Sequence, residues 1–321
     1  MNSTEPTPNY EHHRLKFNGD GMEYFGILML NFFLNLVSLG IYYPWAKEKE
    51  LKYLYGHINL NNHPFQFNGT GNEMFRGYIK AIGLFILIYV ASYFALMLGH
   101  PIFGTIVIYL GILILLPFAI HSSYRYRMSR TTWKGIRLGY RGSRPEFVWL
   151  FYKSVFLTIV TLGIYSSWMT IAMRNYLLSN VRFGSLEFYY DEDGADYFLI
   201  NLKGYILTLI TFGIYYFWWY KERYEFYVNN LKLRNDKYEI NFMSMASGID
   251  FVQLLFVNVL LFVFTLGLAY PWIVQRSLNF MFENLRIDGY VDMDEIQQTE
   301  EEYKDAMGED IGDMLDFGFI I

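Results

Sequence analysis

The 321-residue sequence has no cysteine, which excludes disulfides, thiolate metal sites and a cysteine nucleophile. The redox compartment stays open. Charge is also scarce: Asp, Glu, Lys and Arg make up 18% of the chain, against about 25% in an average soluble domain. The net charge of −5 lacks the basic excess of a nucleic-acid binder. The six histidines are dispersed, and none shows the helical spacing of a zinc-ligand pair. There is no phosphate-cradling Gly-rich loop and no nucleophile–base arrangement. No catalytic residue, metal or cofactor is therefore expected. Met1 to Asp20 is polar and lacks the apolar core of a cleavable signal peptide, so the first apolar stretch would itself direct insertion.

What the chain has is apolar and aromatic surface. Hydrophobic residues make up 53%, and Tyr and Phe number 29 each, rings that settle at membrane–water interfaces. Six stretches approach the roughly 20 apolar residues needed to cross a bilayer as a helix: 23–44, 74–98, 101–120, 147–168, 197–219 and 250–273. Gly99-His100-Pro101 separates the second from the third and predicts a tight helical hairpin. The expected fold is mainly α, a polytopic membrane protein with about six transmembrane helices.

Those stretches are not independent. Four segments share one pattern, centred on Gly40, Tyr42, Pro44 and Trp45; on Gly163, Tyr165 and Trp168; on Gly213, Tyr215 and Trp218; and on Gly267, Pro271 and Trp272. An acid lies 17 positions before each glycine: Glu23, Glu146, Asp196 and Asp250. Seventeen residues of helix cover about 25 Å, so each unit is expected to begin at one interface and reach its glycine and tryptophan at the other. Beyond the Trp, about a dozen residues with an aromatic at a fixed offset (Tyr53, Tyr176, Phe226, Phe280) suggest a helix lying in the interface. Alternating segments at 15–19, 65–69, 138–142 and 186–190 predict short strands outside the membrane. Glu73 opens a further copy in which Pro117-Phe118 stands where Pro44-Trp45 would. Residues 1–290 thus form one expected membrane domain of four to five units, near 15–64, 65–137, 138–187, 188–241 and 242–290. An acidic tail at 291–321, poor in aromatics, is expected to be mobile or peripheral.

The opening Phe17-Asn-Gly-Asp-Gly21, the run Leu39-Gly-Ile-Tyr-Tyr-Pro-Trp45 and the segment Phe65-Gln-Phe-Asn-Gly-Thr-Gly71 resemble the YjgN-like family of bacterial inner-membrane proteins, which bears a domain of unknown function. The resemblance extends to about Tyr290. It implies a multi-pass protein of the bacterial inner membrane and brings no activity or catalytic residue with it. Ser166-Ser167 departs from the signature, so the proline is not required in every copy.

Lys and Arg favour the cytoplasmic face. Six plain crossings gather most of them after the first, third and fifth spans, which places those loops inside and both termini outside. Equivalent strands would then fall on opposite faces, and only re-entrant spans would let them join one sheet. The charge count favours alternating crossings.

Candidate chemistry lies along the helix starts. Glu23, Glu73, Glu146, Asp196 and Asp250 suit a cation-binding ring, or more simply complement helix dipoles and caps. Lys80, Lys153 and Lys203 follow three of these acids by seven positions, and Asn31 and Asn258 follow the other two by eight. Ionisable groups within spans are functional hypotheses: the lysines would converge between repeats on an anionic solute or lipid headgroup. Otherwise they snorkel to the interface. The basic run from Arg125 to Arg144 is better matched to anionic lipid than to nucleic acid. Three functions remain: binding or transport of a small anionic solute or lipid at a polar site between repeats; a structural, lipid-organising envelope protein; and a membrane-embedded enzyme acting on lipid. The expected partners are membrane lipids.

Overall fold

The computed structural model describes residues 14–190, 192–235, 239–289, 296 and 298. Its element order is β-α-α-β, five times over. The first unit comprises β1 (Leu15–Phe17), α1 (Gly21–Val37), α2 (Tyr43–His57) and β2 (Ile58–Leu60). Next come β3 (His63–Phe67), α3 (Gly71–Met97), α4 (Pro101–Ser129) and β4 (Thr131–Trp133). The third unit is β5 (Ile136–Tyr140), α5 (Arg144–Val160), α6 (Ser166–Ser179) and β6 (Val181–Phe183). The fourth is β7 (Leu186–Tyr190), α7 (Gly194–Ile210), α8 (Tyr216–Asn229) and β8 (Leu231–Arg234). The last is β9 (Glu239–Ser244), α9 (Gly248–Phe264), α10 (Tyr270–Glu283) and β10 (Leu285–Asp288).

All ten strands join one antiparallel sheet in sequence order. Within a unit the two strands pair with each other, as in Leu15↔Leu60 and Leu138↔Phe183, so each helical pair leaves the sheet and returns to it. Between units tight turns do the joining. Asn61-Asn62 and Lys134-Gly135 have positive φ at both central residues, the geometry that two-residue hairpins need. Equivalent strands therefore do not lie on opposite faces, and the alternating-side arrangement expected from the charge count is overturned.

The reason is a turn that reverses the chain. After 17 residues α1 ends in a Schellman motif: Gly40 N–H donates to Asn35 C=O at 2.8 Å, and Leu39 N–H donates to Leu36 C=O at 3.3 Å. Leu39 is left-handed at φ 51° and Gly40 at φ 86°. The same motif recurs at Leu162-Gly163, Phe212-Gly213 and Leu266-Gly267. The segment beyond the glycine is thus a return helix and not one lying in an interface. Pro44 and Pro271 open α2 and α10, where a missing N–H costs nothing. Among the described residues, two helices are long and apolar enough to cross a membrane, α3 and α4 with 27 and 29 residues. The expected six spans are corrected to these two. α1, α5, α7 and α9 stop at 17 residues, about 25 Å.

Neighbouring hairpins pack through tryptophan on glycine. Trp45 lies against Gly71 and Phe75, Trp168 against Gly194 and Phe198, and Trp272 against Gly21 and Phe25. The expected headgroup anchors are thus helix–helix contacts in three units; Trp218, 39% exposed, makes no such contact with Gly248. The Trp272 contact joins the last unit to the first, so the hairpins form a ring although β10 and β1 do not pair. Each Trp stands at the outer end of its return helix, whereas each glycine stands at the sheet end of the next hairpin. At the three seams with this contact, neighbouring hairpins are therefore inclined to one another.

Along most of the strands apolar residues face inward and polar ones outward, with Met243 of β9 an exposed exception. Leu60, Trp133, Phe183, Leu186, Leu233 and Ile287 share one core, and Ile296 joins it. On the other face Arg182 pairs with Glu187 at 3.1 Å and Lys232 with Glu239 at 3.5 Å. Of the tail at 291–321 only Ile296 and Gln298 are described: Ile296 is buried, and Gln298 Oε1 accepts from Arg137 N–H at 2.9 Å. The remainder of that tail lies outside the described residues.

A Cβ at position 21 would stand 2.5 Å from Trp272, whereas one at position 26 meets open space. Gly21→Leu is therefore expected to lose about 1–3 kcal/mol by overpacking, and Gly26→Ala to lose nothing. Thermal melting of the detergent-purified variants checks this; equal melting temperatures would refute the seam.

Candidate functional site: a basic, apolar-walled chamber

The inward side chains of the curled sheet line a half-open cavity of about 390 Å³, within the roughly 300–1,000 Å³ typical of ligand sites. Its walls come from both ends of the sheet, Leu15 and Leu60 at one and Leu285 and Ile287 at the other, with Phe65, Leu138 and Phe188 between. Three return helices roof it, with Arg174 from α6, Tyr224 and Tyr227 from α8 and Phe282 from α10. Period-two alternation makes these walls apolar, since each strand turns every second residue to the inside.

Among the described residues, Arg174 is the one charged residue lining this space. Its guanidinium lies 3.9 Å from the ring centroid of Tyr227 and 5.4 Å from that of Tyr190, cation–π distances. It forms no ion pair or hydrogen bond among the described residues, and its buried Nε has no partner. Burial pushes the Tyr190 hydroxyl well above its ordinary pKa, and the nearby Arg174 charge opposes that rise. Tyr190 therefore stays neutral and does not neutralise the cation. Lys47 and Arg127 stand near the Tyr55 hydroxyl, and Arg127 and Arg174 near that of Tyr124, but neither Lys47 nor Arg127 lines the cavity. Lys47 is held by Glu50 at 3.2 Å. The charge that faces the cavity is thus that of Arg174, with Glu192 also near the Tyr190 hydroxyl.

The family described as "Bacterial protein of unknown function (DUF898)" matches residues 12–203 and 224–314. The chain belongs to this family. Two relatives are each named "Inner membrane protein YjgN". The one from Salmonella typhimurium is 34% identical over 190 residues, covering 58% of this chain and 47% of its own length. The one from Escherichia coli O157:H7 is 30% identical over 151 residues, covering 47% of this chain and 37% of its own. The chain thus spans about half the length of the curated relatives it matches. No solved structure matches it. By this kinship the DUF898 chain is a bacterial inner-membrane protein.

The residues singled out from its sequence sort by register. Lys80, Lys153 and Lys203 are exposed on the outer faces of α3, α5 and α7, and the structure does not bring them together. Lys203 instead pairs with Glu222 of its own hairpin at 2.6 Å. One residue further on, a rotation of about 100°, lies the contact between the two helices of a hairpin: Asn31, Ala81, Ser154, Gly204 and Asn258. Asn31 Nδ2 donates to Ala46 C=O at 3.1 Å and Asn258 Nδ2 to Ser277 Oγ at 3.0 Å. The acids cap helices. Thr70 and Glu73 form a capping box, and Arg130 and Tyr126 also bind Glu73, at 3.2 and 3.0 Å. Glu23 and Asp250 donate their N–H groups to Asp20 and Ser247. Tyr176 donates to Glu146 at 3.1 Å, while Asp196 is exposed in the first turn of α7.

Arg174 was not among the sequence candidates, although a signal existed. It is the sole charged residue of α6, six positions after Trp168, where the aligned residues are Leu51, Tyr224 and Leu278. For Asn258, a packing role predicts that Asn258→Leu changes stability by no more than about 1 kcal/mol. Asn258→Asp, which buries a charge beside Ser277, should cost at least about 3 kcal/mol. Melting curves of both variants decide it; equal tolerance of Leu and Asp would show the site to be wet and open.

Proposed function

We propose that this inner-membrane protein binds an anionic amphiphile inside its ring of hairpins, with the charged head at Arg174 and the apolar part in the sheet-walled cavity. The observation that carries the reading is the unpaired arginine facing an apolar chamber. Arg174 is half-buried with its Nε shielded and unpartnered among the described residues; a partly desolvated cation gains from a counter-charge, and an anionic ligand would supply it. In this reading 15–290 is one membrane domain of five units, with the binding site between units. α3 and α4 cross the bilayer and the polar outer face of the sheet lies in water. The far turn Leu98-Gly99-His100-Pro101 carries no Lys or Arg, whereas the sheet side is rich in both; the positive-inside tendency then puts the sheet in the cytoplasm. A second reading, a lipid-organising protein, draws on the outward Lys80, Lys153 and Lys203, placed to meet headgroups.

Native mass spectrometry of the detergent-purified protein separates the two. Wild type and the Lys80/Lys153/Lys203→Met variant are expected to retain a bound amphiphile, and Arg174→Met to lose it with an unchanged helical melt. A bare wild-type spectrum, or equal retention by Arg174→Met, overturns the chamber as a binding site.

A further inference from the structure

Four of the hairpin turns have a composition that their surroundings in the protein do not explain. The left-handed position of a Schellman turn is normally filled by glycine, yet here it holds Leu39, Leu162, Phe212 and Leu266. A left-handed residue with a bulky side chain is strained. No packing within the protein offsets that strain, because these four side chains are 91, 94, 98 and 93% exposed. The turns also close their own hydrogen bonds. Ser38, Thr161 and Thr211 hydroxyls accept from the N–H of Tyr42, Tyr165 and Tyr215 at 3.0, 3.0 and 2.9 Å, and Thr265 accepts from Ala269 N–H at 2.9 Å. An apolar tip that satisfies its own backbone is what a hydrocarbon surrounding demands.

The outward lysines give the depth. Lys153 and Lys203 occupy one register on equivalent helices, and each stands at the sheet-side end of an uncharged stretch, 154–173 and 204–220. Lys80 occupies the same register on α3, before the uncharged stretch 81–124. A lysine so placed puts its ammonium at the headgroups. From Lys153 to Leu162, and from Lys203 to Phe212, is nine residues, about 14 Å of helix. From Lys80 to Gly99 is nineteen, about 28 Å. The hydrocarbon core is about 30 Å thick, and inclination of the hairpins lowers the depth they reach.

We infer that the four short hairpins are re-entrant: they enter one leaflet from the sheet side and end within the hydrocarbon, and the α3–α4 hairpin alone crosses both leaflets. The lipid of that single leaflet is the partner of the apolar tips. The inference concerns topology and does not depend on Arg174 or on any ligand.

The absence of native cysteine makes the test direct. Single variants Leu162→Cys, Phe212→Cys, Leu266→Cys, His100→Cys and Lys232→Cys are probed with a membrane-impermeant maleimide. The reagent is added to spheroplasts and to inside-out vesicles, and labelling in SDS confirms that each protein is present. His100→Cys should label from one side only and Lys232→Cys from the other. The three tip cysteines should label from neither until SDS is added. Labelling of a tip from the His100 side would mean a full crossing, and labelling from the Lys232 side would mean no insertion; either overturns the inference. Three separate tips keep the test alive if one variant fails to accumulate.

Discussion

Everything distinctive in this fold depends on how α1, α5, α7 and α9 end. A run of apolar residues would continue across a bilayer if nothing stopped it. The left-handed pair at Leu39-Gly40 and its three counterparts stop it after 17 residues and send it back. Because the chain returns, the strands flanking each hairpin meet and pair; because they pair five times in sequence order, the sheet grows to ten strands and curls. In three units the tryptophan that follows the turn is carried to the neighbouring hairpin, and Trp272 on Gly21 closes the ring. The cavity is what remains inside. Without the turn, the same sequence would distribute its strands over two faces and enclose nothing.

Much of this was legible in the residues. The seventeen-residue spacing from acid to glycine marked the first helix in four of the five units, and alternation at 65–69, 138–142 and 186–190 marked strands that the structure contains. The strands after the return helices were missed although their signal was present. Ile58-Asn-Leu60, Val181-Arg-Phe183, Leu231-Lys-Leu233 and Leu285-Arg-Ile287 are apolar-polar-apolar triplets at one offset from the signature Trp. Three residues are too few for periodicity to be read without the repeat as a frame. The direction of the chain after the glycine was not legible at all. Length and hydropathy are the same for a helix that crosses and one that turns, and backbone handedness at a leucine is not written in its side chain.

The functional residues divide on a finer distinction. Positions seven and eight after the helix-start acids look alike in sequence, since both fall near one helical face. In the structure they differ by about 100°, which separates an outward lysine from a side chain between two helices. Lys203 therefore meets Glu222 and solvent or headgroup, and Asn258 meets Ser277. Repetition drew attention to the lysines, but a site at the centre of a ring of similar units need not be repeated. Arg174 occurs once, where its counterparts are Leu51, Tyr224 and Leu278. In a repeat protein a single departure from the consensus can carry as much information as the consensus.

The two halves of the molecule also fit each other physically. A sheet with ten strands has edges at β1 and β10, and an unpaired edge invites association. Here both edges are held close by the α1–α10 seam, so the helices set the curvature of the sheet. Conversely, re-entrant hairpins carry little polar surface with which to hold one another in lipid, where the hydrophobic effect offers no drive for helix association. The sheet supplies that hold from the aqueous side: the three inner hairpins are fixed at both ends by strands paired to their neighbours, and the first and last at one end. Tethering of this kind lets short, strained, apolar-tipped hairpins stand in a ring around a charged interior.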